Sequence, residues 1–132
     1  MKKILLVEDD PFLIDIYSTK LTESGFKVFI SKDGALVLEA AKKNKPDLIV
    51  LDIVLPHIDG WQILKQIKED ELKEMKIIIL SNLSQKEEVE KGISLGADKY
   101  LIKSDFIKYL SAPKLIPFST SSFWLRLDKR KK

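Results

Sequence analysis

The sequence predicts an α/β fold built on one doubly wound parallel sheet. Short runs of branched apolar residues alternate five times along the chain with stretches that have helical periodicity. The connections between them are mostly a few residues long. Such connections imply right-handed crossovers, parallel strands and helices on both faces of the sheet.

The first half of the chain supplies two strands and two helices. "KKILLVE" is predicted to be the first strand, and "DPFLIDIYSTKLTES" a helix with Asp10 as N-cap and Pro11 at its first position. Gly25 ends that helix, and "FKVFI" forms the second strand. "DGALVLEAAKKN" is a second helix that closes before Pro46.

The second half repeats this alternation. "DLIVLD" is an apolar third strand, and "DGWQILKQIKED" is a helix with Ile63, Leu64 and Ile67 on one stripe. "KIIILS" is the fourth strand, "KEEVEKGISLG" the fourth helix and "KYLIK" the fifth strand.

The composition bounds the class of protein. The chain has 132 residues, of which 45% are hydrophobic and 33% charged, as in an ordinary soluble domain. It has no cysteine, which excludes disulfides and thiolate metal sites and fits a cytoplasmic location. No run approaches the roughly 18 apolar residues of a membrane span, and the N-terminal apolar run is too short for an export signal.

The positive charge is concentrated at the C-terminal end. Residues 1–98 hold 14 lysines against 18 acidic residues, whereas residues 99–132 hold 9 basic residues against 2 acidic ones. Basic ends sometimes contact nucleic acid or anionic lipid, but most are simply solvated. We therefore expect neither nucleic acid nor membrane as a partner.

Polar side chains stand where the predicted strands end. The carboxyl ends of parallel strands border the functional crevice of such sheets. The residues predicted to meet there are Glu8, Asp9, Asp10, Asp52, Ser81, Asn82 and Lys103.

These residue types favour phosphoryl chemistry with a metal ion. Three close carboxylates repel one another, and Mg²⁺, which prefers oxygen ligands, relieves that conflict. We interpret Asp52 as the nucleophile and Glu8 and Asp9 as metal ligands. Lys103 would then be the phosphate counter-ion and Ser81 a hydrogen-bond donor to the phosphoryl group. Taken singly, Glu8, Asp9, Ser81 and Lys103 also fit solvated loop, turn or surface positions, and Asp10 fits a helix cap. Asp52 is the hardest to explain in this way, because an apolar strand seldom ends in an acidic residue without a partner.

The chain resembles the receiver domain of two-component response regulators, in the single-domain form of chemotaxis regulators. The matching stretches are "ILLVEDDP", "PDLIVLDIVLPHIDGWQILKQIK", "IIILSN" and "GADKYLIK", which together span residues 3–103. The resemblance implies a flavodoxin-like sheet with strand order 2-1-3-4-5.

The resemblance also implies roles for the crevice residues. It assigns phosphorylation to Asp52, with a histidine kinase or phosphotransfer protein as the phosphoryl source. It assigns Mg²⁺ to Asp9, to Asp52 and to the backbone carbonyl of Val54, with Glu8 acting through water.

On the same basis, Ser81 and Tyr100 form a switch pair and Lys103 contacts the phosphoryl group. The downstream protein target would dock on the face formed by strands 4 and 5. Such a domain is not an enzyme, although it promotes its own phosphotransfer and slow autodephosphorylation. We expect it to be a monomer or a weak dimer.

The chain departs from the family pattern at three places. Ser104 follows Lys103 where the family usually has proline after a cis peptide bond, and Asn82 replaces a small residue. Beyond these, Pro113 and Pro117 interrupt the fifth helix that closes a receiver domain. We therefore expect a receiver domain over residues 1–111, with an atypical fifth helix, and an atypical basic and aromatic tail over residues 112–132. The tail could cover the flank of the fifth helix, form a partner surface or be foreign to the domain.

Two alternatives to a stand-alone switch remain open from the sequence. The chain could be a receiver fragment of a longer response regulator. It could also be a phosphohydrolase on a related fold. Such enzymes have a second aspartate two residues after the nucleophile, and this chain has Val54 at that position, which argues against this alternative.

Overall fold

The computed structural model describes residues 2–55, 58–69, 75–82, 86–104 and 106. The strands are β1 Lys3–Val7, β2 Lys27–Ser31, β3 Leu48–Asp52, β4 Lys76–Ser81 and β5 Lys99–Ile102. The helices are α1 Pro11–Glu23, α2 Val37–Asn44, α3 Gly60–Glu69 and α4 Lys86–Ser94. All strand pairs are parallel and their order is β2-β1-β3-β4-β5, which confirms the predicted sheet.

Most element boundaries differ from the prediction by one or two residues, and two of the differences change the type of local structure. The helix expected from Asp33 begins with a 3₁₀ turn over Gly34–Leu36 before it continues as α2. Strand β5 ends at Ile102, so Lys103 lies just beyond the strand, in a helical turn. The predicted atypical fifth helix and the tail over residues 112–132 lie outside the described residues.

Helix α1 starts with the predicted cap. Asp10 Oδ1 accepts hydrogen bonds from the backbone N–H of Phe12 at 2.9 Å and of Leu13 at 3.4 Å, and Pro11 occupies the first helical position. This cap satisfies N–H groups that have no partner within the helix. It therefore fixes the start of α1 directly after the carboxyl end of β1.

The sheet separates two apolar clusters. The α1 face, as we call it, carries Ile4, Leu6, Leu48, Val50, Ile78, Leu80 and Leu101, packed against Tyr17 and Leu21 of α1 and against Phe106. The α3 face carries Leu5, Val7, Ile49, Leu51, Ile77 and Ile79, packed against residues of α2 and α3. Because side chains alternate along a strand, Glu8 and Asp52 continue the α1 face, whereas Ser81 continues the α3 face.

Two aspartates fix the register at the amino ends of the strands. Asp47 Oδ2 accepts the N–H of Lys3 at 2.8 Å, and Asp98 Oδ2 accepts the N–H of Ile77 at 2.9 Å. Each aspartate precedes a strand and binds the start of the neighbouring one. This pairing sets how far each strand extends toward the carboxyl edge.

The connection from β3 to α3 requires a glycine. The Gly60 N–H donates to Ile53 O at 3.1 Å, and a Cβ at Gly60 would lie 2.6 Å from Ile53 Cα. Only a residue without a side chain fits so close to a neighbouring backbone.

None of the described helices is long and apolar enough to cross a membrane.

Candidate functional site

A cavity of about 370 Å³ opens at the carboxyl edge of the sheet. Its lining consists of Glu8, Asp9, Asp10, Asp52, Val54, Ser81, Asn82 and Lys103. The structure thus brings together all seven side chains that the sequence placed at the strand ends. The cavity is large enough for a phosphoryl group together with several waters, each of which takes about 30 Å³ in the liquid.

The carboxylate of Asp52 is buried and held from two sides. Asp52 is 2% exposed. Its Oδ2 accepts a hydrogen bond from Lys103 Nζ at 2.9 Å, and its Oδ1 accepts one from the Val54 N–H at 3.0 Å. These partners allow an acidic residue to end a strand that is buried on both faces. They also keep the carboxylate at the base of the cavity.

Glu8 is equally buried, but its two oxygens differ. Glu8 is 1% exposed, and its Oε1 accepts the N–H groups of Asp9 at 3.1 Å and Asp10 at 3.2 Å. Its Oε2 lies 3.4 Å from Lys103 Nζ and accepts no hydrogen bond. Burial, followed by the charge of Asp52, raises the pKa of Glu8 to about 7.

Lys103 is the cation that joins the two buried carboxylates. Burial alone would lower its pKa, but the hydrogen bond and charge of Asp52, together with Glu8, raise that pKa above the usual lysine value. Lys103 therefore carries its charge throughout the physiological range. One ammonium group faces two acids, so negative charge remains in the cavity.

The acidic cluster fits a receiver-domain metal site. Glu8, Asp9 and Asp52 each offer a carboxylate oxygen, and these oxygens lie within 4.8 Å of one another. Asp9 is exposed to solvent, and Glu8 Oε2 has no hydrogen-bond donor. Oxygen ligands with partial solvent access are the set that hard divalent cations prefer.

Ser81 and Tyr100 lie together on the α3 face of the sheet. Ser81 is fully buried and lines the cavity. Tyr100 is paired with Ile79, two residues before Ser81 on the neighbouring strand, and its half-buried ring packs on the α3-face cluster. The two residues of the predicted switch are thus diagonal neighbours on adjacent strands.

Two departures from the family pattern fall at the cavity. Asn82 lines it and is exposed. The Lys103–Ser104 peptide bond is trans, since the described chain contains no cis peptide bond.

Sequence reasoning missed two features of the site. The Val54 backbone N–H holds Asp52, but a backbone donor has no sequence signature. Tyr17 lies in the α1-face cluster, on the face of the sheet that Glu8 and Asp52 continue. Its spacing with Ile14 and Leu21 predicts a buried helix face, but no sequence pattern shows that its hydroxyl is left without a hydrogen bond.

The sequence model of one protein family, the response regulator receiver domain, matches residues 4–111 of this chain. The chain belongs to the response regulator receiver domain family. This assignment confirms the resemblance noted in the sequence and favours a receiver domain over a phosphohydrolase.

Curated relatives of the receiver domain include longer regulators. PhoP of Bacillus subtilis, an alkaline phosphatase synthesis transcriptional regulatory protein, is 37% identical over 102 residues. The match covers 77% of this chain and 42% of PhoP, so the chain spans less than half of the length of that relative.

Solved receiver structures share the fold along most of the chain. The Mn²⁺-bound form of the response regulator Rcp1 is 26% identical, with a TM-score of 0.78 over 92% of this chain and 98% of Rcp1. The phosphorylated cyanobacterial phytochrome response regulator RcpA is 28% identical, with a TM-score of 0.78 over 92% of this chain and 95% of RcpA.

Proposed function

We propose that the protein is a phosphorylation-dependent switch of a two-component phosphorelay, with Asp52 as the phosphoacceptor. The observation that carries this proposal is the position of the Asp52 carboxylate. It is buried at the base of the acidic cavity and held by Lys103 and the Val54 N–H. The phosphorylated state of RcpA, a protein with the same fold, supports it.

Phosphoryl transfer would proceed by direct attack of the Asp52 carboxylate. One carboxylate oxygen forms a bond to phosphorus while the bond from phosphorus to the donor nitrogen of a phosphohistidine breaks, which leaves an acyl phosphate on Asp52. Lys103 then transfers its hydrogen bond from Asp52 to a phosphoryl oxygen. The negative charge of the transferred group is thereby offset at close range.

Glu8, Asp9 and Asp52, with the Val54 carbonyl, are the groups that would hold Mg²⁺. When bound, the ion supplies positive charge that neutralises the carboxylates and the phosphoryl oxygens. The Mn²⁺-bound state of Rcp1 and the oxygen-rich cluster support a divalent cation at this position.

Ser81 and Tyr100 would read the phosphorylated state. Ser81 lines the cavity, which supports a role for its hydroxyl as a hydrogen-bond donor to a phosphoryl oxygen. A shift of Ser81 toward that oxygen would vacate space on the α3 face next to Tyr100. The ring of Tyr100 would fill this space and change the surface of β4 and β5.

The partners follow from this mechanism. A histidine kinase or phosphotransfer protein would supply the phosphoryl group in the cytoplasm, and a downstream protein would bind the β4 and β5 surface. The short match to PhoP favours a second candidate, in which the chain is the receiver part of a longer regulator. In that case DNA binding would be the task of another domain. The full reading frame distinguishes the two candidates.

Phosphorylation with a small donor tests the assignment. Incubation with Mg²⁺ and acetyl phosphate should add one phosphoryl group that hydroxylamine removes, and slow loss without hydroxylamine would report autodephosphorylation. Asp52→Asn should abolish labelling, because an amide is not a nucleophile. Asp15→Asn, on the exposed side of α1, is the matched control and should be labelled normally. Labelling of Asp52→Asn to the wild-type extent would refute the proposal.

A further inference from the structure

Tyr17 is a buried tyrosine that the proposed mechanism does not use. It is fully buried in the α1-face cluster, and its ring packs edge-to-face on Phe106 with centroids 5.1 Å apart. Phe106 lies three residues beyond Lys103 in the chain. The ring of this α1 residue therefore packs against the segment that carries the lysine of the site.

The hydroxyl of Tyr17 has no hydrogen-bond partner. Among the described residues, the buried side-chain polar atoms without a hydrogen bond are this hydroxyl and Glu8 Oε2, which has only the Lys103 ammonium 3.4 Å away as an ion-pair partner. One of these atoms can donate, whereas an ionised carboxylate oxygen can only accept. Buried polar groups are rarely left unpaired, and ordered water commonly joins them when they do not meet directly.

The two atoms without a hydrogen bond lie on the same side of the sheet. Leu6 belongs to the α1-face cluster with Tyr17, and Glu8 follows two residues later on the same face of the chain. Burial raises the pKa of Tyr17, and the charges of Glu8, Asp52 and Asp10 raise it further, in that order. The hydroxyl therefore lies within electrostatic range of the acidic cluster and stays protonated at neutral pH.

We propose that Tyr17 is a positioning residue of the metal site, its hydroxyl donating to Glu8 Oε2 through one buried water. This inference rests on the proposed function, because it assigns a supporting contact to one of the metal-holding carboxylates. Oε1 is fixed by two backbone N–H groups, whereas Oε2 has an ion pair with Lys103 but no hydrogen bond. A hydrogen-bond donor on the Oε2 side would therefore complete the orientation of the carboxylate. Outer contacts of this kind orient metal-holding groups and strengthen metal binding.

Tyr17→Phe tests this contact, because it removes the hydroxyl and keeps the ring that packs on Phe106. Calorimetric titration of the full chain with Mg²⁺ should give a dissociation constant about tenfold higher than that of the wild type. The melting temperature without metal should stay equal or fall. Leu21→Val, one turn further along α1 in the same cluster, is the control. It should lower the melting temperature and leave the Mg²⁺ affinity within twofold of the wild type.

The Mg²⁺ titrations distinguish failure of the Tyr17 contact from failure of the metal site itself. If Tyr17→Phe binds Mg²⁺ with an affinity within twofold of the wild type and has a higher melting temperature, the hydroxyl makes no hydrogen bond. That result refutes the inference and leaves the proposed function intact. No Mg²⁺ binding by the wild type refutes the inference and the metal site of the proposed function together. Acetyl phosphate labelling of Asp52 tests the phosphoacceptor role separately.

A measurement on the wild type covers the case in which Tyr17→Phe does not fold. Ring-labelled tyrosine should show, by NMR, a slowly exchanging hydroxyl proton on Tyr17 that shifts when Mg²⁺ is added. A hydroxyl proton that exchanges rapidly, or that does not respond to Mg²⁺, refutes the inference.

Discussion

Gly92 of α4 lies directly against the ring of Tyr100, so that a Cβ at position 92 would be 3.1 Å from Tyr100 Cδ2. The same Cβ would be 2.9 Å from Ile79 Cδ1 and 3.4 Å from Trp61 Cζ3. Trp61 in turn lies under the ammonium of Lys91, which is 4.7 Å from the centroid of the tryptophan ring. Any movement of the Tyr100 ring therefore changes the contact between α4 and the rest of the domain.

Gly60 of α3 and Gly92 of α4, both buried, should respond differently to alanine. Gly60→Ala should lower the free energy of unfolding by about 3 kcal/mol, because its Cβ meets the Ile53 backbone, which cannot move aside. Gly92→Ala should change it by less than about 1 kcal/mol, because mobile side-chain ends can shift and alanine favours the helix. Urea unfolding of both variants measures the difference. Equal losses would contradict this interpretation of the contacts.

The stability of the metal-free protein should depend on Glu8 between pH 4.5 and about pH 7, its ordinary and folded pKa values. In this window the folded state binds more protons than the unfolded state, so Glu8 reduces the free energy of unfolding as the pH rises. The stabilising contribution of protonated Glu8 is fully present below pH 4.5 and is lost above about pH 7. It amounts to at most about 3 kcal/mol.

The matched comparison for this pH dependence is Glu8→Gln, which keeps the shape of the side chain and does not titrate. Urea unfolding of both proteins in a chelating buffer should show that the wild type loses stability relative to Glu8→Gln as the pH rises from 5 to 8. Mg²⁺ should reverse the loss in the wild type, because metal binding requires the ionised carboxylate. Parallel stability curves would contradict the prediction.

Lys103→Ala should separate phosphorylation from its structural response. The acceptor carboxylate of Asp52 remains, so acetyl phosphate should still label it, although more slowly. Without the ammonium group, the phosphoryl oxygens lose the cation that orients them toward Ser81, so the coupling of the phosphoryl group to Ser81 and Tyr100 should break. Trp61 fluorescence, which senses α4 and Tyr100, should therefore respond to phosphorylation in the wild type and not in Lys103→Ala.

The same variant should be less stable without metal. Removing the cation leaves two buried carboxylates without a counter-ion, and breaking such a pair costs about 3–5 kcal/mol. The loss should be larger at pH 8 than at pH 5, where Glu8 is protonated. Lys65→Ala, on the exposed side of α3, is the control and should change neither stability nor the fluorescence response.

Truncation after Ser111 should leave the phosphate chemistry intact. We propose that residues 1–111 form the receiver unit, and the family match ends at residue 111. Acetyl phosphate labelling and Mg²⁺ affinity should therefore match those of the full chain. A lower melting temperature or a changed oligomeric state would show that residues 112–132 support the domain. Loss of labelling in a folded truncated protein would refute the boundary.

The sequence was sufficient to predict the sheet and the group of residues at its edge. Branched apolar runs of strand length, joined by short connections, leave few topologies, and Asp52 could not end a buried strand without partners. The end of β5 was not predictable, because Lys103 continues the apolar-polar pattern of the strand while its backbone turns into a helix. The contact of Gly92 with Tyr100 depends on how closely α4 approaches the sheet, which periodicity does not encode.

The alternation of β3 and β4 has a consequence for how the protein can diversify. Asp52 follows the α1 face of β3, whereas Tyr100 packs on the α3 face, and Ser81 reaches the cavity from the α3 side. On the proposed function, phosphoryl uptake and target binding then use different faces of one sheet, with Ser81 as the link between them. Substitutions on α4 could change which target is recognised, and each face could acquire new specificity as long as Ser81 still joins the two.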